Sequence, residues 1–316
     1  MPSAYSIPTT IDSVVLATTI ADYRKTMADN VYQTNTVLKL ASEKKQMVNG
    51  GNSIVQPIMT VKQDDGGFYL GADVLNNTQK NFANQVEFLW QNAYEPIQLT
   101  RDEERQNSGE EHKIVSLVGS KTKSSEMAIA DRLEQALSSP IASANYLIDL
   151  ETLVATGQLG TITGSTVTAW QATVTASGAF TTQGLSDMTT GTYAVSSAAQ
   201  VDNPTHYLTN KTVFQKFEQT RLPLERISNG NLSANAGFTN LTFKGKPVMY
   251  GNYIASGLLF GLNMNYIHLS VDTETDFITT DFKEPVNQTV RVAYILWRGQ
   301  FWTENRRRHF KLTGIT

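Results

Sequence analysis

The stretch Phe238–Tyr250, FTNLTFKGKPVMY, followed by Leu258–Val271, LLFGLNMNYIHLSV, opens a C-terminal region of extended runs with almost no helical period. Strand-favouring residues dominate both runs. The first breaks at the turn signal Lys244-Gly245-Lys246-Pro247, so the two are expected as neighbouring strands. A third run, Phe277 to Phe282, stops before Glu284-Pro285. The next starts at Thr289 and sets Val290, Val292, Tyr294 and Leu296 on one parity against Arg291 on the other, which predicts that the first set is buried. Beyond Gly299, Phe310 and Leu312 alternate with Arg307, His309 and Lys311, the pattern of a strand with one wet, basic face.

Short motifs follow one another here in a recognisable order. They are Phe243, Gly245, Pro247 and Val248; Phe260 to Asn263; Asp281 and Phe282; Glu284, Pro285, Asn287 and Gln288; Trp297 and Gly299; and Asn305 to Arg307. That order resembles the C-terminal half of tailed-bacteriophage major capsid proteins. The resemblance implies an α+β chain with the Hong Kong 97-type capsid fold: an N-terminal arm, an E-loop hairpin, a long spine helix, a peripheral domain and an axial domain.

On that resemblance, residues 1–48 correspond to the arm, 49–105 to the E-loop hairpin and 106–155 to the peripheral domain with its spine helix. Residues 156–270 correspond to the axial domain and 271–316 to the C-terminal strands of the peripheral domain. The partners implied are further copies of the chain in hexamers and pentamers, with scaffolding, portal and decoration proteins. Packaged double-stranded DNA is implied on the inner face, held weakly and without sequence preference. The location implied is the virion, after synthesis in the bacterial cytoplasm.

The bulk numbers describe a globular chain rather than a disordered one. At 316 residues, 40% hydrophobic and 17% charged, the chain is long enough for a sizeable core. A net charge of −3 gives no electrostatic basis for tight nucleic-acid binding. The absence of cysteine excludes disulfides, thiolate metal sites and cysteine nucleophiles. No run approaches the roughly 18 apolar residues of a membrane helix, and no membrane partner is expected.

Upstream, the first ten residues carry Pro2 and Pro8 and read as an extended arm. With no long charged helical extension before residue 11, no cleaved scaffolding domain is expected. Helical spacing follows over Thr10 to Met27 and again, more weakly, over Val31 to Ala41. Two extended runs, Ser53 to Lys62 and Val86 to Arg101, each contain a proline and flank a polar and aromatic tip, which predicts a protruding hairpin over residues 53–101. A ribbon of that kind is marginal in water, so it should rest on something else; in the capsid family that support is the adjacent subunit. From Glu110 to Leu137 apolar residues recur at three and four, predicting one long helix broken at most near Gly119. Residues 139–205 turn rich in Ser, Thr, Ala and Gly, with Trp170 and Phe180 as the large anchors. Asn210 then caps a helix behind a strand at Thr205 to Leu208.

Chemistry finds little footing. His112, His206, His268 and His309 share no metal-ligand spacing, and nucleotide-cradle and hydrolase motifs are missing. Asp272, Glu274 and Asp276 alternate in a way that suits a hard cation, though a solvated turn explains them equally. No catalytic, cofactor or metal residue is therefore assigned. A lysine-to-asparagine crosslink is open to Lys62 and Lys80, but no spacing favours it.

The residues expected to touch other subunits are Lys62, Phe68 and Tyr69 at the hairpin tip, with Glu103, Arg306 and Arg307. The acidic Asp102 to Glu104 reads either as a solvated helix start or as the partner of Arg306 to Arg308 on a neighbour; intersubunit pairing is favoured over DNA for those arginines. The function expected is self-assembly into an icosahedral shell around double-stranded DNA, without catalysis. The alternatives are an encapsulin-like shell protein and, from another class, an α+β enzyme or ligand-binding protein, which a deep pocket with perturbed acids would favour.

Overall fold

The computed structural model describes residues 35–62, 64–76, 78–106, 117–141, 147–196, 202–228, 241–286 and 289–316. Residues 1–34 of the expected arm, with the helix expected over Thr10 to Met27, and also His112 and the start of the long helix lie outside the described residues. The helices are α1 (Thr36–Ser42), α2 (Arg101–Gln106), α3 (Leu117–Ser138), α4 (Leu150–Leu153), α5 (Leu185–Val195) and α6 (Lys211–Ser228). The strands up to residue 209 are β1 (Lys45–Val48), β2 (Ser53–Met59), β3 (Ala83–Leu89), β4 (Gln91–Thr100), β5 (Gln158–Leu159), β6 (Ile162–Thr163), β7 (Thr173–Ala176) and β8 (His206–Thr209). Those after it are β9 (Thr242–Phe243), β10 (Lys246–Tyr250), β11 (Leu259–Leu262), β12 (Ile267–Asp272), β13 (Ile278–Thr279), β14 (Val290–Thr303) and β15 (Phe310–Thr313).

The long β14 anchors a five-stranded sheet, ordered β1-β12-β14-β13 with β4 also on β14. β4 pairs antiparallel with β14 from Thr100 opposite Val290 to Gln91 opposite Gly299. Its other edge lies under α3, where Lys121 Nζ donates to the Gln98 carbonyl (2.9 Å) and Ser125 Oγ to that of Pro96 (3.3 Å). Pro96 is tolerated because only one flank of β4 is paired in the sheet. α3 runs unbroken through Gly119, and its Ile129, Leu133 and Leu137 pack with Ile97, Ala293, Ile295 and Trp297.

Two expectations are corrected in this sheet. The run Val86 to Arg101 is not one hairpin strand: it divides at Trp90, and its second half, β4, belongs to the body. The buried parity of β14 is Ala293, Ile295 and Trp297, while Tyr294 is 42% exposed and meets Tyr94 edge-on at 6.1 Å. Both parities of β14 are apolar there, so alternation alone did not choose the face that α3 covers.

A six-stranded sheet, ordered β7-β15-β11-β8-β10-β9, forms the second body. Its core holds Phe180, Met188, Tyr207, Phe217, Phe243, Phe310 and Leu312, drawn partly from α5 and α6. Asn210 caps α6 as expected, its side-chain oxygen accepting from Val213 N at 2.9 Å. The β9–β10 turn falls on Lys244 and Gly245, both at positive φ (49° and 73°), the geometry that two-residue hairpin turns require.

The expected neighbours β10 and β11 are instead separated by β8. The run Leu258–Val271 also breaks: the Asn263 side chain accepts from Asn265 N (3.1 Å), an Asx turn that sends β11 to the second sheet and β12 to the first. β15 joins β11 and β7, so the last strand lies in the second sheet, apart from the 271–303 strands with which the sequence grouped it. Its basic face is not wet. His309 is fully buried, and Lys311 is half-buried, donating to the Glu151 carbonyl at 3.2 Å.

Candidate interaction surface

β2 and β3 pair antiparallel from Ser53 opposite Leu89 to Met59 opposite Ala83. At about 3.3 Å per residue this ribbon is roughly 20 Å long. Beyond it the chain makes a tip whose described residues form no strand, closed at its neck by Thr60 N donating to the Phe82 carbonyl (2.9 Å). Phe68, Tyr69, Leu70, Val74 and Leu75 are all exposed there, Val74 to 98%. The tip holds its own charges together, with Lys80 Nζ 2.9 Å from Asp64 and 2.7 Å from Asp65. Lys62 is exposed beside them. Single exposed apolar residues are ordinary, but five within one loop form a patch of the sort that marks an interaction surface.

The ribbon's base differs. Val86 and Phe88 are buried in a small core with Leu159, Ile162, Trp170 and Trp302. Phe88 and Trp302 rings lie 5.7 Å apart. Glu87 N donates to Thr161 Oγ1 at 3.1 Å, and the Gln300 amide donates to the Leu89 carbonyl at 2.7 Å. The base of the ribbon therefore stands on its own chain, while Met59 at its far end and the apolar side chains of the tip are exposed.

The predicted charged contacts separate. Glu103 accepts from Thr100 N (3.0 Å) and Thr100 Oγ1 (2.8 Å) and pairs with Lys121 (2.7 Å). The Lys121 ammonium, with the Thr100 bonds, pulls its carboxyl down to about 2. Arg306, expected on the surface, is corrected outright: it is fully buried, with its guanidinium bonded to backbone carbonyls. Burial lowers its pKa to about 10. Arg307 is exposed, and Arg308 reaches the Val195 carbonyl (3.0 Å) and Asp202 (3.6 Å). Glu103 follows the start of the β4–β14 ladder and Arg307 follows the end of β14, so roughly 40 Å of strand separates them within one subunit.

Asp272, Glu274 and Asp276 lie at a turn, but Asp272 is buried there and not solvated. Asp272 accepts from Thr275 Oγ1 (2.9 Å) and lies 3.4 Å from Arg298, and Asp276 pairs with Lys45. Among the described residues no group of three or more acidic or histidine side chains is placed to hold a metal ion. An open groove of about 840 Å³ runs between β4 and α3, and its one carboxylate, Asp131, is engaged by Tyr253 Oη at 2.7 and 2.9 Å.

No family model matches the sequence, and no curated protein sequence does. Solved structures match it from end to end. The capsid asymmetric unit of cyanophage A-1(L) superposes with a TM-score of 0.69 at 14% identity, over 96% of this chain and 99% of that one. The capsid of a native GTA particle gives 0.67 at 10% identity, over 98% and 100%. The holo-SrpI encapsulin complex from Synechococcus elongatus gives 0.61 at 10% identity, over 98% and 96%. The fold is the Hong Kong 97-type capsid fold. Of the motifs that pointed to it, Phe243, Pro247, Val248 and Phe260 to Leu262 lie on the six-stranded sheet and Trp297 and Gly299 on the five-stranded one, and the signal that sequence reading missed is Gln300 and Trp302 as the supports of the hairpin base.

Proposed function

We propose that this chain is the major capsid protein of a tailed phage, assembling through hexamers and pentamers into the icosahedral shell that encloses double-stranded DNA in the virion. The end-to-end fold match to capsid subunits carries the reading. On it, β2, β3 and their tip are the E-loop, ending at Leu89 because β4 is committed to β14. α3 is the spine helix, the five-stranded sheet belongs to the peripheral domain and the six-stranded sheet to the axial domain. The exposed tip, with Lys62, Phe68 and Tyr69, rests on a neighbouring copy, and scaffolding, portal and decoration proteins join the shell. Closed symmetry multiplies each such contact over every subunit, so a modest interface suffices.

Expression of the chain alone, or with the scaffolding protein encoded beside it, is expected to yield closed shells in electron micrographs. A monodisperse monomer under both conditions overturns the reading. An encapsulin-type shell is the second reading, supported by the match to the encapsulin complex. Terminase and portal genes beside this one favour the phage capsid, and their absence favours the encapsulin.

A further inference from the structure

Among the described residues Arg306 is buried with no carboxylate paired to it, which is costly unless its donors are used. Its Nε donates to the Leu153 carbonyl (2.8 Å), Nη2 to Thr152 (2.6 Å), and Nη1 to both Gly157 (2.6 Å) and Trp170 (3.3 Å). Thr152 and Leu153 end α4, whose last carbonyls have no partner within the helix. Gly157 and Trp170 bracket the β5–β6 turn. A planar fork of five N–H groups suits this gathering of carbonyls from separate segments, and a lysine ammonium does not.

What Arg306 gathers is the platform under the hairpin. Gly160, at the β5–β6 turn, lies so close to β3 that an added Cβ would sit 2.6 Å from Val86 Cγ2 and 2.7 Å from the Glu87 carbonyl oxygen. Its φ of +62° also favours glycine there. Next to it Thr161 receives the Glu87 N–H. At the point where β3 leaves the ribbon, the buried Gln300 side chain donates to Leu89 O while its oxygen accepts from Ile148 N (3.1 Å) and Phe301 N (3.0 Å).

We propose that Arg306 is a positioning residue for assembly: by clamping both ends of the 157–170 segment it holds the Gly160–Thr161 seat rigid, and the seat fixes the angle at which the hairpin leaves its own subunit. The direction in which the apolar tip is offered to the next copy is then set inside the subunit before any contact forms. The consequence for shell curvature rests on the capsid reading; the joint itself does not.

The chain has no cysteine, so two can be introduced for spin labels, at Val74 in the tip and Gln215 on α6. Distances are measured in unassembled subunits, with labelled chain diluted into unlabelled chain so that only pairs within one subunit are read. The parent should give one narrow distance. Arg306→Gln, Gly160→Ala and Thr161→Val should each broaden or displace it, while the two seat variants keep a cooperative thermal transition. Should Arg306→Gln fail to fold, the seat variants decide. A distance that stays narrow and unmoved in Gly160→Ala and Thr161→Val overturns the proposal, as does a change confined to Arg306→Gln. Failure of the parent chain to form shells both alone and with a scaffolding protein sinks the capsid reading and leaves this measurement standing.

Discussion

The two ends of one ribbon handle the same residue type in opposite ways. Phe88 at the base is 1% exposed against Trp302, whereas Phe68 at the tip lies wholly in solvent. Burying such a side chain is worth about 1.5–3 kcal/mol, so the base contributes to the subunit's own stability while the tip holds that free energy back. The difference teaches where the subunit ends energetically. Val86 and Phe88 tie the base of the ribbon into the folded body, while the loop beyond the Thr60–Phe82 neck keeps its apolar side chains in solvent.

Truncation at the base should give the largest effect. Phe88→Ala opens a cavity in a small core and is expected to cost about 3–5 kcal/mol, read as a lower urea midpoint of the isolated subunit. Phe68→Ala is expected to leave that midpoint within about 0.5 kcal/mol and to lower shell yield instead. Equal losses of subunit stability at the two positions would break the contrast, because the tip would then be packed on its own chain.

Much of this was legible in the sequence, and the misses have definite causes. Alternating runs and the Lys244-Gly245 turn declare strands locally, and each proline declares a strand with an unpaired flank: Pro57 in the ribbon, but Pro96 in β4 of the five-stranded sheet. What local pattern does not carry is the partner of each strand: β8 enters between β10 and β11 from well upstream of both, and β4 leaves the ribbon at Trp90 with no break in its extended character. The parity of β14 was unreadable because both of its faces are apolar over 292–297. The arginine run was misread for a different reason. Its charge suggested a surface, but Arg306 is satisfied by carbonyl oxygens, and no residue type in the sequence announces a carbonyl cage. Only Arg307 keeps the exposure its composition implies.

Acid offers a second, smaller probe of the base. His309 is fully buried at the corner that also carries Trp302 and Arg306; its Nδ1 accepts from Asn263 N (3.2 Å), which leaves Nε2 to donate to Thr303 Oγ1 (3.0 Å). Burial, with the nearby Arg306 charge, holds its pKa down at about 3. The unfolded chain therefore takes up this proton at a higher pH than the folded one does. The stability that neutral His309 provides is complete above about 6.5 and is lost as the pH falls from there toward 3. At pH 5 the loss should be about 2 kcal/mol, seen as a falling urea midpoint that His309→Gln flattens. A midpoint unchanged between pH 7 and 5 would show that the corner takes up a proton without strain, and that the base is softer than its burial implies.

The smallest effect on the subunit, and the most informative for the interface, is expected at Arg307. It is exposed, so Arg307→Glu should change subunit stability by no more than about 0.5 kcal/mol. If it pairs with an acid on a neighbouring copy, shell yield falls while the subunit stays folded. Glu103 is a poor choice for the compensating change, since Lys121 and Thr100 already hold it and reversal there would set two cations together. Asp102, exposed at the start of the same helix, presents its charge outward. Because roughly 40 Å separates the two ends of β14, an Asp102–Arg307 pair forms only between subunits. Restoration of shell yield by adding Asp102→Arg to Arg307→Glu would therefore report an intersubunit contact directly. Normal assembly with less packaged DNA would instead place Arg307 on the inner face, and normal assembly with normal packaging would leave it a solvated charge.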